Sequence, residues 1–200
     1  FSGVTFERAN LTDADFTGAN LSTADLRDSV MAGVNLTAVE LQGTNLRGVM
    51  TDDDMGERLE NLGKSLAALL EEHTQWVSSA GARGRQLDLS GYVMRDILEL
   101  RKYPMTAIKA IGANFLGQDL RGAQIQSAVL DRSDFRDVNF RAADLRGSSF
   151  KYARFTRADL RDANLGALRF PQGNGGQWLQ RLNLSGANLR YADLSRADLR

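Results

Sequence analysis

Cysteine is missing from this 200-residue chain, which removes disulfides and thiolate metal sites and leaves the compartment open. Histidine occurs once, at His73, so there is no Cys/His cluster to hold zinc. No apolar run approaches the ~18 residues that a membrane-spanning helix needs, and no segment is expected to cross a bilayer. An excess of one charge is lacking too, since 25 basic and 25 acidic residues cancel. Neither a GxSxG nucleophile elbow nor a Walker phosphate loop is present. With 42% apolar and 25% charged residues, the chain still has the balance of a folded protein with a core. Cytoplasm is the default expectation. Phe1 rather than Met opens the chain and both ends fall inside repeat units, which leaves room for flanking sequence.

A five-residue period fills the space left by these absences. Large apolar residues recur at Phe1, Phe6, Leu11, Phe16, Leu21, Leu26, Met31, Leu36, Leu41 and Leu46. The period returns in a shifted register from Phe115 through Leu120, Ile125, Leu130, Phe135, Phe140, Leu145, Phe150, Phe155, Leu160 and Leu165 to Phe170. A third run holds Leu184, Leu189, Leu194 and Leu199. Two places before most of these sits a small or β-branched residue, with Asn or Asp between, as in Ala9-Asn10-Leu11 and Ala24-Asp25-Leu26. Five matches neither the 3.6 of a helix nor the 2 of a plain strand. It matches a short extended segment followed by a corner. The large residue and the small one two places earlier then point to one side of the backbone, and the other three positions face out. Glycine often stands two places after the large residue, as at Gly18, Gly43 and Gly122, where a tight corner needs a permissive φ. One unit cannot bury its apolar face alone; a stack of units can.

The chain resembles the pentapeptide-repeat family, whose unit is written A(D/N)LXX. Ala9-Asn10-Leu11-Thr12-Asp13, Ala143-Asp144-Leu145-Arg146-Gly147 and Ala187-Asn188-Leu189-Arg190-Tyr191 match it directly. The resemblance implies an all-β solenoid, a right-handed quadrilateral β-helix with four units per coil, here with one inserted amphipathic α-helix. The best-known activity in that family is protection or inhibition of DNA gyrase and topoisomerase IV by an acidic rod that imitates DNA.

Three segments interrupt the period. Across residues 51–84, Met55, Leu59, Leu62, Leu66, Leu69, Leu70, His73, Trp76 and Val77 recur at three- and four-residue steps, the stripe of an amphipathic helix. Thr51 with Asp52, Asp53 and Asp54 would cap its start, although such an acidic triplet also suits a divalent cation. Gly81 and Gly84 would end it. The stripe is expected to pack on the β-helix side or to cover an open coil end, since an exposed strand edge is usually covered. Residues 85–110 read as coil with irregular corners: Leu87-Asp88-Leu89-Ser90-Gly91 is a near-complete unit, and Leu100, Met105 and Ala110 keep the register of Phe115. Near 171–180 a loop is expected, with Gly173-Asn174-Gly175-Gly176 at its centre. The organisation is thus coils over 1–50, a helical insertion over 51–84, and coils over 85–200 carrying that loop.

Chemistry is scarce in this pattern. His73 sits on the apolar stripe and is expected to be packed rather than to bind a ligand. Carboxylates lie in regular outward rows, which solvate a surface and do not build a concave pocket. Phe135, Phe140, Phe150 and Phe155 take the inward position, so they read as core rather than as a base-stacking platform. No enzyme activity, cofactor or metal is expected. Charge, however, is uneven: residues 1–50 carry three arginines against six acids, and residues 111–200 carry fourteen basic groups against nine aspartates. Units four apart share a face, so Arg121, Arg141 and Arg161 should stack in one column, with Arg136, Arg146 and Lys151 on neighbouring faces. Asp119 and Asp159 stand beside that column and would pair with it in part. These six residues are the candidate docking surface for a partner, expected to be a protein, with an acidic one as the sharper reading. Nucleic acid is disfavoured by the zero net charge, and DNA mimicry of the gyrase-directed kind by the basic C-terminal half. Self-association through the helix or the coil ends stays open. The expected function is a non-catalytic scaffold or protein-interaction module.

Overall fold

In a computed structural model, residues 1–51, 56–95, 97, 99–171 and 176–200 are described. The chain divides into two compact units, Phe1–Gly56 and Glu57–Arg200, both assembled from the same five-residue element. In Ser133-Asp134-Phe135-Arg136-Asp137, Phe135 points inward and is fully buried. Its carbonyl accepts the Val138 N–H at 3.3 Å, and Asp137 takes a left-handed φ of 58°. That combination is a type II β-turn, which needs positive φ at its third residue. Glycine meets the need without strain at Gly117, Gly122 and Gly147, whereas Arg132, Ala142 and Arg157 are forced into it. The force comes from the ladder. Phe135 donates to the Arg154 carbonyl at 2.7 Å, and Asp137 to that of Thr156 at 3.1 Å. Asp134 in turn donates down to the Ala113 carbonyl at 2.9 Å.

Parallel bridges join Asp134 to both Asn114 and Arg154, twenty residues away on either side, so each coil has four five-residue sides. The first unit repeats this spacing from Thr5 to Asp25 to Asn45 and from Asn10 to Val30 to Met50. Phe16, Leu21, Leu26 and Met31 fill its interior. Phe1, Phe6 and Phe16 meet edge to face at 5.8–6.0 Å between centroids, although Phe1 itself stays exposed.

The interior of the second unit is organised by Phe115, Phe135 and Phe155 on three successive coils. Their rings stack at 4.8 and 5.2 Å, and Phe150 meets both Phe135 and Phe155 edge on. All of them, with Phe140, are buried, so the core reading of these aromatics holds. The small residues two places earlier, such as Ala113, Ala143 and Ala153, are buried too. Ser133 occupies one such place by donating to the Ala110 carbonyl and accepting from the Ala113 N–H. Described residues between 85 and 110 join the ladder, with one residue more than the twenty of a coil. Asp88 bridges Lys109 and Val93 bridges Asn114, both at a spacing of 21. A short 3-10 turn, Leu100–Lys102, follows Glu99 in a left-handed conformation there.

Both insertions depart from expectation. The helix, α1, spans Leu66–Ser78 and starts well after the acidic triplet. Asp52, Asp53, Asp54 and Met55 lie outside the described residues. Its cap is Ser65, whose Oγ accepts the Ala68 N–H at 3.3 Å. A separate 3-10 turn over Leu59–Leu62 precedes it and closes at Gly63 with a φ of 71°, which breaks what the periodicity presented as one helix. At the other end Ala80 is left-handed, and the Gly81 N–H reaches back to the Trp76 carbonyl at 2.8 Å, a Schellman ending. Leu59, Leu62, Leu66, Leu69 and the buried Leu70 pack on the core of the second unit, whereas Val77, at the end of the predicted stripe, is exposed. The expected loop near 171–180 is instead a β-hairpin, β1 (Leu168–Pro171) paired antiparallel with β2 (Gln177–Gln180); Gln172–Gly175 lie outside the described residues. Phe170 therefore leaves the coil register and stacks on Trp178 at 4.7 Å.

Candidate functional site

The Asn or Asp that precedes each inward residue has a local task that its spacing alone did not reveal. Its side-chain oxygen accepts the backbone N–H two residues on, as from Asp119 to Arg121, Asn139 to Arg141, Asp144 to Arg146 and Asn188 to Arg190. The corner is thereby held by an Asx turn. When the residue two places on is arginine and the turn residue is aspartate, the guanidinium folds back onto the same carboxylate. Arg121 reaches Asp119 at 2.7 Å, Arg146 reaches Asp144 at 2.7 Å and Arg161 reaches Asp159 at 2.6 Å. Arg141 has asparagine at that place and turns instead to Asp162 at 3.3 Å. The hydrogen bond from Arg121 holds the Asp119 carboxyl down at about 2. The equivalent bond lowers Asp159 and raises Arg161.

The structure thus brings Arg121, Arg141 and Arg161 into one column, with every guanidinium tied to an aspartate. Successive five-residue steps turn one corner each, so Arg136, Arg146 and Lys151 fall on three other corners and do not join the column. Arg136 is not outward at all. It forms a pair with Asp134 at 2.8 Å in which the two side chains keep only 7% and 6% of their surface exposed, a buried pair whose desolvation is offset by geometry. Leu116 and Thr156, one coil below and one above, are buried beside it. Lys151 uses its backbone N–H on Asp131 Oδ1 at 3.0 Å.

His73 is fully buried. The Leu87 N–H donates to Nδ1 at 3.1 Å, so the ring proton resides on Nε2, which donates to the Thr106 carbonyl at 2.9 Å. Desolvation lowers its pKa against the opposing effect of the Thr106 bond. Both nitrogens are committed to backbone, and the residue latches α1 to the first coil. Among the described residues no group of His, Asp and Glu is arranged to hold a metal ion, and no helix is long and apolar enough to cross a membrane.

The faces are not pocketless, contrary to what the regular rows suggested, because the insertions create concavity. A cleft of about 480 Å³ lies under α1, lined by Leu62, Leu69, Arg85 and Tyr92 among others. A larger one of about 710 Å³ opens between the hairpin and the coil corner at Leu165, with Arg169, Leu179, Arg181 and Leu182 in its wall. Of the six predicted residues, only Arg146 reaches this cleft. Arg169 and Arg181 were not singled out by periodicity. A signal for them exists: Ala167 and Leu179 stand two places before them, so neither has the in-built aspartate that neutralises Arg121, Arg146 and Arg161.

Repeat geometry and sequence agree on the family. The pentapeptide-repeat model matches in eight copies, over residues 1–28, 14–49, 106–137, 139–170 and 175–200. The chain belongs to the pentapeptide-repeat family, and its coils are the right-handed quadrilateral β-helix of that family. Among solved structures it is similar to HetL, a pentapeptide repeat protein involved in heterocyst differentiation regulation from the cyanobacterium Nostoc sp. strain PCC 7120. The identity is 23% over 99% of this chain and 88% of that one, with a TM-score of 0.42. It is also similar to QnrB1, a plasmid-mediated fluoroquinolone resistance protein, at 15% identity over 97% and 70% of the two chains, with a TM-score of 0.28. Rfr23, from the cyanobacterium Cyanothece 51142, shares 12% identity over 96% and 87%, with a TM-score of 0.15. No curated protein matches the sequence.

Proposed function

We propose that this chain is a non-catalytic interaction module, a rigid β-helical support that holds inserted elements in position for a macromolecular partner. The observation that carries the reading is the state of the coil charges. Arg121, Arg141, Arg146 and Arg161 are folded onto aspartates of their own corners or of the next coil, so the arginine column is a row of paired groups. Such rows recognise little by charge. They do provide stiffness, because successive corners such as Gly112, Arg132 and Tyr152 are fixed by ladder bonds and many corners by an Asx turn as well. The sole histidine has both ring nitrogens in backbone hydrogen bonds, which leaves it no proton to exchange with a substrate. DNA mimicry is the weaker reading, since a mimic needs unneutralised rows of acid and these aspartates are paired with arginine.

Capture from an extract of the source organism, with chemical cross-linking, tests the module reading. A stoichiometric protein partner that survives in R121Q/R141Q/R161Q is the expected result. A chain that captures no protein at any salt concentration contradicts it. Supercoiling by purified gyrase should be unaffected at micromolar protein, and inhibition or protection would favour the alternative.

A further inference from the structure

From two arginines without a carboxylate partner among the described residues that meet in one leucine-lined cleft, we propose that the cleft beside the hairpin is the docking site for an extended acidic peptide segment of a protein partner, one that alternates carboxylates with apolar side chains. The inference rests on the interaction-module reading and specifies its surface. Strand alternation places Arg169 and Leu179, which are register partners, on one face of the hairpin, and Arg181, just past the end of β2, lines the same cleft. The opposite face is already used. Gln180 donates from its side chain to the Gly147 carbonyl at 2.7 Å, and Leu168 lies against Gly147, where an added Cβ would come within 2.9 Å of it. The first face is therefore turned to the cleft of about 710 Å³, whose opposite wall is Asp198, Leu199 and Arg200.

Its chemistry is two-fold. Arg169 and Arg181 have no carboxylate partner among the described residues, while Arg146 in the same wall is held by Asp144. Asp198 in the same wall is paired with Arg200 at 3.0 Å, so Arg169 and Arg181 are left as the unneutralised guanidiniums of a lining that also holds Leu165 and Leu182, with Leu179 still 45% exposed. Guanidinium forks favour carboxylates in bidentate geometry, and the leucines favour an apolar side chain between them. Spacing agrees with an extended chain: alternate residues of a strand point the same way, so carboxylates and apolar groups can address the two kinds of wall in turn.

The test is fluorescence anisotropy with the full chain and a labelled octapeptide of alternating aspartate and leucine, at low salt. An all-aspartate octapeptide, a lysine–leucine octapeptide and a single-stranded oligonucleotide serve as competing probes. Affinity in the range of about 10–100 µM is expected for the first peptide, weakened at least about ten-fold in R169E/R181E and unchanged in R121Q/R141Q/R161Q. Both substituted hairpin positions are exposed, so the variant should keep the wild-type circular dichroism and melting temperature. Equal binding to R169E/R181E overturns the proposal, as does equal or tighter binding of the all-aspartate, lysine–leucine or oligonucleotide probe, or no binding at all. If instead a captured partner binds R169E/R181E as well as wild type, the cleft is excluded while the module reading stands.

Discussion

Two buried side chains show how one position in the repeat can hold different chemistry. Ser133 and Ser29 both stand two places before an inward residue, and both are fully buried. Ser133 bonds to the coil below through the Ala110 carbonyl and Ala113 N–H. The Ser29 hydroxyl has no hydrogen-bond partner among the described residues. A buried hydroxyl without a partner carries a desolvation penalty, and alanine is the ordinary occupant of this place. Ser29→Ala should therefore stabilise the first unit by about 1 kcal/mol, and Ser133→Ala should destabilise the second by about as much. Hydrogen exchange of core amides in each unit reads both. His73 gives a pH dependence of defined sign. Burial lowers its folded pKa, so the unfolded chain binds the proton more readily, and stability falls as pH drops below the ordinary value of about 6.5. Denaturant midpoints for the second unit should decline between pH 7 and 5, and His73→Gln should flatten that decline.

At the scale of the element, a single glycine decides whether the hairpin can dock. Gly147 has a φ of 69°, and a side chain there would meet Leu168 and the Gln180 carbonyl. Gly147→Ala should loosen the hairpin and cost about 1–3 kcal/mol. The measurable sign is greater exposure of Trp178, already 46% exposed, to a fluorescence quencher. Unchanged quenching would mean that the hairpin does not rest on this corner. The helix shows the opposite relation between sequence and structure. Its apolar stripe was legible because 3.6-residue periodicity interrupts a five-residue one, but its start was not. Thr51 and three aspartates look like a cap, yet a cap acts only where the next residues turn, and the turn before α1 closes at Gly63 before Ser65 opens the helix.

For the second unit as a whole, the hairpin is an extrusion from an otherwise regular coil. Ser149 bridges Asn183 at a spacing of 34 instead of 20, which leaves 14 residues outside the stack. Deletion of residues 168–181, 14 residues, should restore a twenty-residue coil that melts cooperatively within a few degrees of wild type. Loss of cooperativity in that variant would mean that the hairpin is needed for the fold. Acid acts on the same unit through its Asp–Arg rows. Because Asp119 is held at about 2, its carboxylate should still be ionised at pH 3, which its carbon chemical shift reports. Its contribution should be lost only as pH falls from about 4 towards 2.

The five-residue period determined the extended step, its corner and its inward face, because alternation repeats identically at each step and needs no distant information, whereas four sides to a coil followed from the resemblance to the pentapeptide-repeat family. That count of four placed Arg121, Arg141 and Arg161 in one column. What each charge does was decided by tertiary structure. The burial of Arg136, the turning of Arg141 to Asp162 and the lack of a carboxylate beside Arg169 and Arg181 among the described residues depend on which groups lie within reach once the coils stack and the insertion folds. The cleft belongs to that second kind of fact, since concavity arises only where a hairpin stands against a corner that the repeat alone would leave flat.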